Sequence, residues 1–146
     1  MSTTSRITYV RPDGLVRSIY CHWDGYLEYN GQILSKYYNG SNLDKLMDLG
    51  DLSSLGKNPV SDPRGWEIPN QVGTEACVSY RDRGEDCPAK EFASIEDFSK
   101  DGPLDENFNY IFMDGIWYYW QGDWTDEFGV SQLKILATAI GEENNI

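Results

Sequence analysis

The chain opens with two runs crowded with β-branched and aromatic residues, Arg6-Ile7-Thr8-Tyr9-Val10-Arg11 and Val16-Arg17-Ser18-Ile19-Tyr20-Cys21-His22-Trp23, separated by Pro12-Asp13-Gly14. Proline sets φ at such a turn and glycine accepts φ > 0, so the pattern predicts an N-terminal β-hairpin. Gly25 and Gly31 bracket the next segment. Beyond them Ile33, Leu34, Tyr37 and Tyr38 recur at i, i+1, i+4 and i+5, the face of a helix that Asn39-Gly40 should end. A second short helix is expected from an N-cap at Ser41 or Asn42, burying Leu43, Leu46 and Met47 and closing at Gly50.

Residues 56–75 contain three prolines and three glycines and follow neither period. They read as a long loop from which Trp66 and Ile68 tuck back onto the body. Cys77-Val78-Ser79-Tyr80 alternates as a short strand would, and Ser94 with Asp97 three positions later marks the N-cap of a short helix carrying Ile95 and Phe98. Asn109-Tyr110-Ile111-Phe112-Met113 and Ile116-Trp117-Tyr118-Tyr119-Trp120 flank Asp114-Gly115, a pair that accepts φ > 0 at both positions and predicts a tight hairpin. Its aromatics alternate. The alternation groups Ile111, Met113, Trp117 and Tyr119 on one face and Tyr110, Phe112, Tyr118 and Trp120 on the other, with either set free to be the buried one. Between Val130 and Ile140, apolar residues at 133, 136, 137 and 140 predict a helix stopped by Gly141. The sum is one globular α+β domain over 1–146, an antiparallel sheet built from an N-terminal and a C-terminal hairpin with three or four helices packed on one face.

With 146 residues the chain suits a single core, and 40% apolar residues with 14% aromatics exclude a disordered acidic tail despite a net charge of −12. No apolar run approaches the roughly 18 residues of a membrane span, and the polar N-terminus carries no export signal, so a soluble chain in the cytoplasm is expected. In that setting Cys21, Cys77 and Cys87 are expected to be thiols.

Charge changes the picture more than size does. Residues 91–127 hold ten carboxylates against the single Lys100, while residues 1–40 hold four basic and three acidic side chains. Such a field attracts a basic partner and repels nucleic acid and anionic membrane. Asp101, Asp105, Glu106, Asp114, Asp123, Asp126 and Glu127, with Trp120 and Trp124 as aromatic anchors, are therefore the candidate partner-binding residues, a hydrophobic centre inside a charged rim.

Other constellations carry less. Cys21-His22 suggests an activated thiol, but neighbours on a strand point to opposite faces, so a packed cysteine beside an outward histidine is the simpler reading. Asp97 to Asp105 matches the first nine positions of a calcium loop, yet Phe108 stands where the bidentate glutamate belongs; a helix end and turn are expected instead, with no metal and no cofactor. Arg81 and Arg83 alternate with Asp82 and Glu85 as local ion pairs on a turn. Phosphate-loop, dinucleotide, serine-hydrolase and zincin motifs are lacking, and catalytic residues are not expected.

The run Arg17-Ser18-Ile19-Tyr20-Cys21-His22-Trp23-Asp24-Gly25-Tyr26, followed by Tyr29-Asn30-Gly31 and the Ile33-Leu34 helix, resembles the opening of a family of small uncharacterised proteins of bacteriophages and other mobile elements. The similarity continues through Asp48 to Gly56 and Tyr80 to Glu85 and covers about half of the chain. What it implies is an accessory protein acting in the host cytoplasm against a defence or regulatory system. Charge and resemblance together lead to a non-enzymatic inhibitor whose acidic surface mimics nucleic acid and occupies a basic host protein, such as a CRISPR or restriction effector. A small metal-dependent enzyme, or an acidic accessory protein without an inhibitory role, is the alternative.

Overall fold

The structure, a computed structural model, describes residues 3–67, 75–101, 107–121 and 134–137. Strands β1 (Ser5–Val10) and β2 (Val16–Cys21) form the expected N-terminal hairpin, with Ile7 opposite Ile19. A π-helical turn (Leu27–Gly31) leads into α1 (Gln32–Tyr37), and α2 (Leu43–Asp48) follows. Further along come β3 (Leu52–Ser54), β4 (Asn58–Ser61), the single turn α3 (Arg64–Glu67), β5 (Ala76–Ser79), β6 (Lys90–Phe92) and α4 (Ile95–Asp101). The second hairpin is β7 (Phe108–Met113) with β8 (Ile116–Gln121), joined by β9 (Lys134–Ile135).

Among the described residues nine strands make one sheet in the order β4-β5-β3-β2-β1-β7-β8-β9, with β6 also on β2. The two hairpins meet at its centre, but β1 and β7 run parallel, Ile7 opposite Tyr110, and β2–β3 and β4–β5 are parallel as well. The sheet is mixed, which corrects the expectation of a purely antiparallel one. Hairpin signals are local, whereas the pairing of β1 with a strand about a hundred positions away is set by which edges and faces can be buried together.

Both faces are covered. Ile7, Tyr9, Ile19, Cys21, Tyr110, Phe112 and Trp117 point to the face on which Leu34 of α1 and Leu43, Leu46 and Met47 of α2 pack. Val16, Ile111 and Trp120 point the other way and meet Phe98 of α4, with Ile95 beside it. The expectation of helices on one face is therefore overturned. The hairpin phasing also needs correction: Tyr110 pairs with Tyr119, Phe112 with Trp117 and Ile111 with Tyr118. Directly opposed residues share a face in an antiparallel pair, so Tyr110, Phe112, Trp117 and Tyr119 lie together. The second face has a polar centre, where buried Thr8 and Ser18 share a hydrogen bond of 2.8 Å and the Arg6 guanidinium donates to the Ser18 hydroxyl at 3.3 Å.

Local chemistry explains most other elements. α2 buries its three expected apolar residues; Asn42 at its N-cap position turns back, accepting from the Asn39 amide at 2.9 Å and donating to the Tyr37 carbonyl at 2.8 Å. Ser94 caps α4 as expected, its hydroxyl accepting from the Asp97 amide at 3.1 Å. The stretch read as a loop is more ordered than its prolines suggest, containing β4 and α3, while Trp66 does tuck back and donates to the Ser79 carbonyl at 2.9 Å. Ile68 lies outside the described residues. Of the expected helix over Val130–Ile140 only 134–137 are described; Lys134 and Ile135 pair with β8 as strand, and Leu136 is fully buried.

Candidate functional site

Two features meet at the end of the sheet reached by the β1–β2 turn, the α1–α2 loop and the β7–β8 turn. The first is a carboxylate array. The Arg17 side chain, only 12% exposed, leaves β2 and is gripped from two elements: by Asp48 at 2.9 Å and Asp44 at 3.0 Å on α2, and by Glu91 on β6 at 3.3 Å. Arg11 adds Asp13 at 3.1 Å and reaches the same Asp44 at 3.8 Å. Burial opposes the charge on Arg17, but hydrogen bonds to Asp48 and Asp44 outweigh it and hold the guanidinium pKa above its ordinary value. Four carboxylates on two guanidiniums leave negative charge in excess, with Asp44, Asp48 and Glu91 on helix and strand and Asp13 in the β1–β2 turn.

The second feature is a cavity of about 520 Å³ lined by Tyr9, Phe112, Asn39, Gly40, Asp114 and Gly115 among others. Its floor is two rings with centroids 6.0 Å apart and tilted by 53°. Phe112 in turn rests edge-on against Trp117, whose indole N–H is anchored to the Tyr38 carbonyl at 3.0 Å, so the floor is braced from below. The Tyr9 hydroxyl has no hydrogen-bond partner among the described residues; burial chiefly, then the negative charge of Asp44, raises its pKa and keeps it protonated. Asp114 and Gly115 have φ of 54° and 81°, the geometry expected of the Asp-Gly turn, which lifts the exposed Asp114 carboxylate to the rim. No described residue pairs with that carboxylate.

Of the residues singled out from sequence, Asp114 is thus at the site. Trp120 is not an exposed anchor: it is 4% exposed, packed with Val16, Phe98 and Ile111. Asp101 ends α4. Asp105, Glu106, Asp123, Trp124, Asp126 and Glu127 lie outside the described residues. Asp13, Asp44 and Asp48 were missed because they stand in the half of the chain with nearly balanced charge, where only the fold brings them beside Glu91. Exposed aromatics also occur elsewhere than expected, at Trp23 and Tyr26 around Asp24, itself at φ 60°.

The remaining candidates behave as their local chemistry suggested. Cys21 is buried, accepts from the Asn30 amide at 3.5 Å, and burial pushes its thiol up to about 12. His22 turns away to the Tyr20 hydroxyl at 2.8 Å, on the opposite side of the strand. The first five positions of the calcium-like run, Asp97–Asp101, are helical, and the rest of the run, 102–105, lies outside the described residues. Arg81, Asp82, Arg83 and Glu85 form ion pairs on and just after a short 3₁₀ turn, and Arg83 stacks over Trp66 at 4.1 Å. Among the described residues no helix is long and apolar enough to cross a membrane, and no group of three or more His, Cys, Asp or Glu side chains could hold a metal ion.

No protein-family model, curated protein or solved structure matches this chain.

Proposed function

We propose that this protein is a non-catalytic binding protein that presents ordered carboxylates to a basic partner, and that, in the setting its N-terminal resemblance implies, it is a mobile-element protein that inhibits a host defence effector by competing with nucleic acid. The observation that carries the reading is the array of Asp13, Asp44, Asp48 and Glu91 pinned on Arg11 and Arg17. A protein that grips duplex DNA does so with lysines and arginines placed to meet one phosphate charge about every 1.7 Å of axis, and a fixed set of carboxylates competes for those cations with less ordering cost than a mobile acidic tail. The buried Cys21, held protonated near neutral pH, is unsuited to nucleophilic attack, which favours binding over covalent chemistry.

The test is displacement of labelled duplex DNA from a purified restriction or CRISPR effector, read by fluorescence anisotropy at low and high salt. The protein should displace DNA, more weakly as salt screens the charges. Neutralising Asp48→Asn with Glu91→Gln, and separately reversing Asp123→Lys, Asp126→Lys and Glu127→Lys, should each reduce displacement by about tenfold, while Glu28→Gln should not. Equal displacement by wild type and both variant sets would sink the reading.

A further inference from the structure

The aromatic cavity beside the carboxylate array has a chemistry of its own. Its volume lies within the range of sites that enclose a small ligand, about 300–1,000 Å³, and its floor is apolar. Three groups remain without a counterpart. The Asp114 carboxylate stands at the rim with no cation, the Tyr9 hydroxyl has a lone pair and a proton to place, and the rings of Tyr9 and Phe112 line the space. Gly40 stands in the wall: a Cβ built on it would lie 3.7 Å from the Tyr9 hydroxyl and 3.9 Å from Phe112, ordinary contact distances, so a longer side chain there would enter the space above the rings.

An occupant must be flat enough to lie against rings, positively charged at the end that meets Asp114, and able to donate to a phenol oxygen. The nearby charges of Asp13 and Asp44, only partly offset by Arg11, act on Tyr9 and disfavour an anion, which excludes nucleotides and phosphate esters. A guanidinium satisfies all three demands, being planar, permanently charged and weakly hydrated, with five N–H donors, and it stacks on aromatic faces where an ammonium is held back by its hydration.

We infer that the cavity between Tyr9, Phe112, Gly40 and Asp114 receives an arginine side chain of the basic partner, the guanidinium pairing with Asp114 and lying against the two rings. The inference rests on the proposed function and sharpens it: the array supplies long-range attraction, and the cavity supplies a short-range requirement for arginine over lysine.

The experiment uses the full chain, ¹⁵N-labelled, titrated with three acetylated and amidated Gly-Xaa-Gly peptides in which Xaa is arginine, lysine or citrulline, the uncharged isostere of arginine. Saturable amide shifts at Asn39, Gly40, Asp114 and Gly115 are expected with arginine, at least about threefold weaker binding with lysine, and about tenfold weaker with citrulline. Gly40→Leu should fill the cavity and abolish the shifts at the remaining positions. Asp114→Asn, which keeps a residue tolerant of positive φ in the turn, should weaken arginine about fivefold and bring it close to citrulline. Equal binding of arginine and citrulline, shifts elsewhere on the protein, or undiminished binding to both variants would overturn the inference. The same Gly40→Leu protein in the DNA-displacement assay separates the two claims: loss of displacement by it as well as by the charge variants supports both, whereas full displacement by it with loss in the charge variants discards the cavity and keeps the acidic surface.

Discussion

At the scale of single residues, burial decides what each reactive group can do. Cys21 and Cys77 are buried and Cys87 is partly open, so a thiol reagent near neutral pH should add one label per native molecule and three after denaturation, read by intact mass. Fast labelling of Cys21 in the native state would return it to the list of nucleophiles. The pH dependence has a definite sign. A folded pKa of about 12 lies above the ordinary thiol value of 9.0, so the native state holds this proton more tightly than the unfolded chain does. The stabilisation is complete below pH 9 and is lost as pH rises toward 12; the buried Tyr110 hydroxyl, also raised, acts in the same direction. Melting followed from pH 8 to 11 should therefore fall, and fall less in Cys21→Ala. Gly25 shows a constraint of another kind: an added Cβ would come within 2.5 Å of the Thr4 carbonyl oxygen, because the chain after β2 passes directly over the start of β1.

Among the elements, the β7–β8 hairpin was the most legible, because Asp114-Gly115 states both its turn and its register. Its faces were still misassigned. Pairing across a two-residue turn puts Phe112 opposite Trp117, so the two aromatics flanking the turn share a face, and that count had to be made from the turn outward rather than along each strand. Trp120 follows from this. Because it is buried on the second face with Phe98 and Ile111, Trp120→Ala should cost about 3–5 kcal/mol in stability, measured by denaturant unfolding, with binding altered only as far as folding is. An unchanged midpoint would place its ring in solvent. β4 was hidden for a different reason. Pro59 lies inside it, and proline is acceptable there because β4 is the end strand of the sheet and pairs only with β5.

Across the whole molecule, a net charge of −12 on 146 residues makes self-repulsion part of the stability balance. Raising ionic strength from about 0.01 to 0.15 M shortens the screening length from about 30 to 8 Å, so the melting temperature should rise over that range even as affinity for a basic partner falls. A melting temperature that instead fell with salt would mean that ion pairs such as those on Arg17 outweigh the repulsion.

What the sequence by itself determined were the features written in neighbouring residues: two hairpins from Pro12-Asp13-Gly14 and Asp114-Gly115, the buried stripe of α2, the Ser94 cap, the opposed directions of Cys21 and His22, and the acidic excess. Turn chemistry and side-chain periodicity act over a few positions and need no knowledge of the rest of the chain. Only the tertiary structure decided that β1 and β7 lie parallel, that helices cover both faces, that Asp44, Asp48 and Glu91 close on Arg17, and that Tyr9, Gly40 and Phe112 leave a cavity beneath Asp114. Those juxtapositions join residues 27 or more positions apart, and they follow from packing the two sheet faces and the helices together, a condition that no local stretch can express.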